Sequence, residues 1–178
     1  MPIRFTNHPL KAPLRYLYTS VYKFTPDGKQ TTISDAFSLE ENNGLACDSA
    51  DNLFVADGNG NIYRLTPAGV QSTFAQVGSG VNGLVFNSAG DLLVANGDTI
   101  YEFTPAGVQS TFASGLGSNI GDLAINSAGD LFAAVGNAIY EFTPDGAQST
   151  FASSLLSMLC SRSRISSCSS RVMARFSL

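Results

Sequence analysis

Three near-identical copies of one stretch, beginning at Ile62, Ile100 and Ile139, predict an all-β chain built from repeated antiparallel units. Ile62-Tyr-Arg-Leu-Thr-Pro-Ala-Gly-Val-Gln-Ser-Thr-Phe-Ala75 recurs as Ile100 to Ala113, and as Ile139 to Ala152 with Asp145 and Ala147 substituted. A second recurring block lies between the copies: Asn43 to Asp57, then Asn82 to Asn96, then Gly121 to Val135. Within each unit, short apolar or alternating runs are interrupted every few residues by Gly, Pro, Asn, Asp or Ser, and helical periodicity is absent. Four short strands per unit of about 40 residues is the pattern of a β-propeller blade.

The middle unit shows each element. Its strands are expected at about residues 83–87, 91–95, 99–104 and 108–113. The fourth alternates, with Val108, Ser110 and Phe112 on one side and Gln109, Thr111 and Ala113 on the other. Thr104-Pro-Ala-Gly107 suits a tight hairpin, because the Pro ring locks φ where the first corner of a turn needs it and Gly follows. An earlier, degenerate copy, Val21-Tyr-Lys-Phe-Thr-Pro-Asp-Gly28, supplies only the outer two strands of a unit. The expected organisation is an irregular segment over 1–17, a half blade over 18–37, blades over 43–76, 82–113 and 121–152, and an irregular tail over 153–178. That makes about three and a half blades, a partial propeller. Its two open blade faces imply either self-association that completes a ring or a piece of a larger propeller.

Charge follows the same boundaries. Residues 1–29 hold five bases and one acid, residues 30–152 hold Arg64 against thirteen acids, and residues 153–178 hold four Arg and no acid, for a net charge of −4. The acidic centre repels nucleic acid phosphate and favours cations or basic partners. No run reaches the length of a membrane span, and the N-terminal segment lacks a continuous apolar signal sequence, so neither nucleic acid nor membrane is an expected partner and localisation stays open. The tail is dominated by Ser and has neither Gly nor Asp. It reads as a frameshifted continuation of the next blade, as a disordered segment, or as a basic helix. Under the frameshift reading, the DNA encoding Ile165 to Cys168, read one base out, yields Asp-Leu-Phe-Val, the second-strand motif; sequencing the gene checks this, and a gene without that reading rejects it.

The units resemble the NHL-type propeller repeat and its relatives in the senescence-marker/gluconolactonase and virginiamycin-B-lyase-like group. Asn43-Gly-Leu-Ala-Cys-Asp and Asn52-Leu-Phe-Val-Ala-Asp57 carry the resemblance, which covers residues 18–152. It implies a propeller that normally closes with six blades, and it serves binding scaffolds and enzymes alike. Loops at one end of the blades place Asn43, Asn82, Asn119 and Asp122 near the axis, with Asp57, Asn96 and Asp98 further out. All seven carry oxygen donors of the kind that suits calcium or another divalent cation. Gluconolactonase-like relatives hold a metal at this end, which nominates Asn43, Asn82 and Asp122 as ligands, although Gly121 stands where the third Asn is expected. The alternative is that Asn before Gly simply forms the turn into the first strand.

Other motifs carry less. Gly78-Ser-Gly-Val-Asn-Gly83 matches a dinucleotide fingerprint only formally, since a strand follows where a helix is required. The single His, His8, lies outside the repeats, and no Gly-x-Ser-x-Gly elbow occurs, so a nucleophilic Ser or Cys lacks its usual base and no catalytic residue is nominated. Asp48, Asp51, Asp91 and Asp130 read as turn residues, and Tyr63, Tyr101 and Tyr140 as packing. Cys47 reads as a small buried hydrophobe; Cys160 and Cys168 are too isolated for zinc. The favoured role is a binding or scaffold module that presents a polar loop face to a protein or small ligand. The alternatives are a metal-dependent lactonase-type hydrolase, incomplete in this chain, and a truncated gene product without function.

Overall fold

The structure, a computed structural model, describes residues 19–24, 26–37 and 44–153. Fourteen strands and no helix occur among them, so no described helix is long and apolar enough to cross a membrane. The chain divides into two units, residues 1–40 and 41–178. In the first, β1 (Thr19–Phe24) and β2 (Gln30–Phe37) form an antiparallel hairpin.

The second unit contains three four-stranded antiparallel sheets. They are β3 (Gly44–Cys47), β4 (Leu53–Ala56), β5 (Asn61–Leu65) and β6 (Gln71–Gln76); β7 (Val81–Phe86), β8 (Leu92–Asn96), β9 (Thr99–Phe103) and β10 (Gln109–Ala113); and β11 (Ile120–Ile125), β12 (Leu131–Val135), β13 (Ala138–Phe142) and β14 (Gln148–Ala152). In each sheet the strands lie in chain order, and the first strands β3, β7 and β11 stand side by side. This is the partial propeller that the repeat predicts.

Local chemistry makes the turns. Between the first and second strands, Asn87 accepts the Ala89 and Asp91 backbone N–H groups at 3.0 and 2.8 Å and donates from Nδ2 to the Asp91 carboxylate at 3.2 Å. Asn126 does the same with Ala128 and Asp130. In the first sheet the two residue types are exchanged: Asp48 accepts the Ala50 and Asn52 backbone N–H groups, and Asn52 Nδ2 donates back to Asp48 at 2.7 Å. Either order keeps one amide and one carboxylate, because two carboxylates at that separation would repel. Burial works to raise the Asp48 pKa, but the hydrogen bonds from Asn52 and Ala50, with the charge of Arg64, outweigh it and hold the carboxyl below its ordinary value. That stabilisation is complete above about pH 4 and is lost as pH falls through the lowered folded-state value.

The hairpin joining the third and fourth strands forms as the Thr-Pro-Ala-Gly pattern predicts. Gly107 N–H donates to the Thr104 carbonyl at 2.8 Å, Thr104 Oγ1 accepts from Val108 N–H at 3.1 Å, and Gly107 takes φ +81°.

Packing between sheets is aromatic and close. Phe54 meets Phe74 of its own sheet edge-on at 5.0 Å and Phe86 of the next sheet at 4.9 Å. Phe74 reaches Phe103 at 6.0 Å, and Phe112 reaches Phe142 at 5.7 Å. Strict alternation in the fourth strand does not hold. The pairing skips Phe74 between Thr73 and Ala75, Phe112 between Thr111 and Ala113, and Phe151 between Thr150 and Ala152, so each Phe is a bulge. In the second sheet the bulge leaves Phe112 and Ala113 both partly buried and Val108 exposed. The bulge also interrupts regular pairing in the outermost described strand of each sheet, which discourages addition of a further strand.

Cys47 is exposed, not buried as the sequence suggested. It occupies the repeat position of Phe86, whose ring is covered by packing on Phe54 of the preceding sheet. Among the described residues of its unit, no sheet precedes β3. Cys160 and Cys168 lie outside the described residues.

Two substitutions test the turns. Asp51 holds φ +60° where Gly90 and Gly129 stand in the later repeats, so Asp51→Gly is expected to stabilise by about 0.5–1 kcal/mol in urea unfolding. Gly60 takes φ +81°, and a Cβ there would overlap the Gly78 carbonyl. Gly60→Ala is therefore expected to cost more than about 2 kcal/mol, with midpoint and m-value read from the same unfolding curves.

Candidate functional site

One end of the three-sheet array gathers the loops that lead into β7 and β11 and the turns between the second and third strands of the sheets. Backbone hydrogen bonds tie them together: Val77 N–H to the Gly60 carbonyl at 2.9 Å, Gly97 N–H to Gly80 at 3.2 Å, Ile120 N–H to Gly97 at 2.8 Å and Leu116 N–H to Asp98 at 3.3 Å. Turn chemistry sets the shapes. Gly97 and Gly136 take positive φ at the first position of two-residue turns, whereas the first sheet uses the longer Asp57 to Asn61 loop.

Of the nominated residues, Asn82 and Asp122 lie on the adjacent first strands β7 and β11. The pairing of β7 with β8 skips Asn82, and that of β11 with β12 skips Gly121, so a bulge opens each of these first strands. The bulge frees the Asn82 side chain, and Nδ2 donates to the Ile120 carbonyl of the neighbouring sheet at 2.8 Å. Asp122 lies two residues further on. Its Oδ1 accepts the Leu123 N–H at 2.8 Å and would stand 3.1 Å from a Cβ placed on Gly83. The side chain keeps contact with solvent, yet the surrounding protein desolvates the carboxyl and raises its pKa; the Leu123 hydrogen bond only partly offsets this.

The other residues take different parts. Asp57 is buried, and its carboxylate accepts from the backbone N–H groups of Asn59 and Asn61, from Asn61 Nδ2 and, at 3.3 Å, from the Tyr63 hydroxyl. Burial and the Asp57 charge raise the Tyr63 pKa in turn. Asn96 Nδ2 donates to the Val77 and Gly78 carbonyls at 2.8 and 3.0 Å, holding the loop that leads into β7. Asp98 is exposed, with the Thr99 hydroxyl donating to it at 3.2 Å, and Asn119 is exposed. Asn43 lies outside the described residues.

The donor set is a partial one for a metal. Asn82 and Asp122 offer one neutral and one anionic oxygen donor group, short of the six to eight oxygens of a calcium ion. No group of three or more His, Cys, Asp or Glu side chains converges among the described residues. The sequence reading missed the latching roles of Asn82 and Asn96. Their sequence signal is an Asn at the start of the first strand and another at the end of the second, but only the tertiary structure shows which carbonyls the amides reach.

No protein-family profile and no curated protein matches the chain. Solved structures do. A structural-genomics protein assigned as a gluconolactonase matches with TM-score 0.64 at 19 % identity, over 76 % of this chain and 57 % of that one. Virginiamycin B lyase from Staphylococcus aureus matches with TM-score 0.59 at 19 % identity, over 74 % of this chain and 48 % of that one. A gluconolactonase from Xanthomonas campestris matches with TM-score 0.56 at 15 % identity, over 63 % and 47 %. The chain thus spans about half the length of these structures.

Asp122→Asn tests the site electrostatics. A raised folded-state pKa means that ionisation opposes folding, so the variant is expected to be more stable at pH 7, by less than about 1 kcal/mol given solvent screening. The gain is full above the raised folded-state value and vanishes below about pH 4, as thermal melts across pH would record. What these sheets, turns and matches share is a fold: the chain is a partial β-propeller like those of the gluconolactonase-like and virginiamycin B lyase structures.

Proposed function

We propose that the chain is a binding or scaffold module whose loop-lined polar end takes a small polar ligand or a protein. The observation that carries this reading is the division of labour among the nominated residues. Asp57 and Asn96 are committed to shaping the loops, which leaves the exposed Asp98 and Asn119 and the solvent-touching Asp122 as polar groups directed outward from a braced frame. Such a frame lowers the ordering cost of binding, because the loops are already held when a ligand arrives. The acidic centre of the chain favours a cationic or hydrogen-bond-donating partner.

A second reading, a metal-dependent lactonase-type hydrolase, draws on the gluconolactonase neighbours and on the placement of Asn82 and Asp122 on adjacent first strands. A divalent ion there would take most of its ligands from water or from residues beyond those described. No step of hydrolysis is assigned to it.

The two readings separate in one assay series with glucono-1,5-lactone and millimolar calcium. The binding reading expects no turnover and an unmoved melting temperature. It further expects saturable lactone binding by calorimetry that falls at least tenfold in the Asp98→Ala/Asn119→Ala double variant, at unchanged melting temperature. Calcium-dependent turnover that Asn82→Ala abolishes, with a calcium-induced rise in melting temperature that Asp122→Asn removes, overturns the binding module in favour of the hydrolase.

A further inference from the structure

Asn is followed by Gly four times in the chain, at residues 43–44, 59–60, 82–83 and 96–97. This dipeptide is chemically labile, because glycine has no Cβ to hinder its own backbone nitrogen from reaching the side-chain carbonyl of the preceding Asn. Asn43 lies outside the described residues, and the structure holds the other three differently.

Asn82 and Asn96 are anchored. Asn82 Nδ2 donates to the Ile120 carbonyl of the neighbouring sheet at 2.8 Å. Asn96 Nδ2 donates to the Val77 and Gly78 carbonyls at 2.8 and 3.0 Å, and the nitrogen that would attack it, that of Gly97, donates to the Gly80 carbonyl at 3.2 Å. Either amide must break contacts between separate segments before it can react. Asn59, in the turn between β4 and β5, is exposed, and among the described residues its side-chain amide holds no carbonyl. The Gly60 N–H is tied within its own turn, to the Asp57 carbonyl at 3.0 Å, and a surface turn opens at less cost than a contact between sheets.

The same turn tolerates little change in main-chain length. Asp57 Oδ1 accepts the Asn59 and Asn61 N–H groups at 3.0 and 2.8 Å, which fixes the register on both sides of the 59–60 link. Gly60 takes φ +81°, its carbonyl accepts the Val77 N–H at 2.9 Å, and a Cβ on it would overlap the Gly78 carbonyl. An added backbone atom between residues 59 and 60 would move Gly60 off both neighbours.

We infer that Asn59 is a site of spontaneous deamidation, and that its isoaspartate product releases this turn from the loop leading into β7. The Gly60 nitrogen loses its proton and attacks Asn59 Cγ. The side-chain nitrogen takes up a proton and leaves as ammonia, which closes a five-membered succinimide. Water then opens the ring at either carbonyl. One product is aspartate with the original backbone; the other, isoaspartate, carries the main chain through Cγ and so gains a methylene. Both add a negative charge to the polar end, but only isoaspartate lengthens the chain. The reaction consumes water alone and needs no enzyme.

Ageing the full-length protein in mildly alkaline buffer, with peptide mapping by mass spectrometry, tests the site. In the folded protein Asn59 is expected to be lost at least tenfold faster than Asn82 and Asn96, whereas in concentrated urea the three are lost at similar rates. Hydrogen exchange at the Val77 amide is expected to be at least tenfold faster in the isoaspartate product. A fresh Asn59→Asp variant, which has the charge without the methylene, and an Asn59→Gln variant aged alongside, which would have to close a less favourable six-membered ring, are expected to keep the exchange rate of the unaged protein. Loss at Asn59 no faster than at Asn82 or Asn96 in the folded protein overturns the site. Unchanged Val77 exchange in the isoaspartate product, or equally fast exchange in fresh Asn59→Asp, overturns release of the turn by the longer backbone.

Discussion

Everything in the second unit depends on how closely β3, β7 and β11 stand beside one another. Glycine at positions 44 and 83 lets the next first strand approach to within contact of the backbone, and a methyl group there would already crowd Leu84 or Leu123. Once that spacing is set, the outer strands diverge and the space between sheets widens. The bulged phenylalanines fill it. Phe74 and Phe112 leave the regular alternation of their strands, and so reach the aromatic residue that closes the third strand of the next sheet. Small residues inside and large residues outside are two aspects of one wedge-shaped packing problem.

The same close spacing shapes the polar end. Loops entering β7 and β11 have little room, so they are fastened by backbone hydrogen bonds to the glycine turns and by the amides of Asn82 and Asn96. These amides bind protein carbonyls, and Asp57 spends its carboxylate on its own loop. Polar residues in a loop-rich site thus divide between those that build the surface and those that present it. Asp122 belongs to the second kind. It replaces a packing glycine with an anionic group held in a partly desolvated place, which costs stability and leaves a carboxyl directed to solvent.

Repetition also makes the molecule its own control. Reversal of Asp48 and Asn52 relative to the Asn and Asp of the later turns shows that the pairing of one amide with one carboxylate matters more than which end carries it. Gly90 and Gly129 against Asp51 isolate the cost of a left-handed backbone. Leu84 and Leu123, 7 % and 6 % exposed, against Leu45 at 57 %, measure what a neighbouring sheet covers. None of these comparisons needs a second protein.

From residues alone, the repeat period, the Pro-Gly hairpins and the absence of helical spacing were enough to determine an all-β partial propeller, its strand order and its turn residues, because those features are local and recur within each unit. The exposure of Cys47, the bulges at Phe112 and Asn82, and the roles of Asn96 and Asp57 as braces were decided only by the tertiary structure. Each depends on which sheet stands next to which, and a strand's own alternation carries no record of its neighbour. Asp122 marks the boundary between the two: its departure from the repeat is plain in the sequence, but that it replaces a glycine of close approach is visible only once β7 lies against β11.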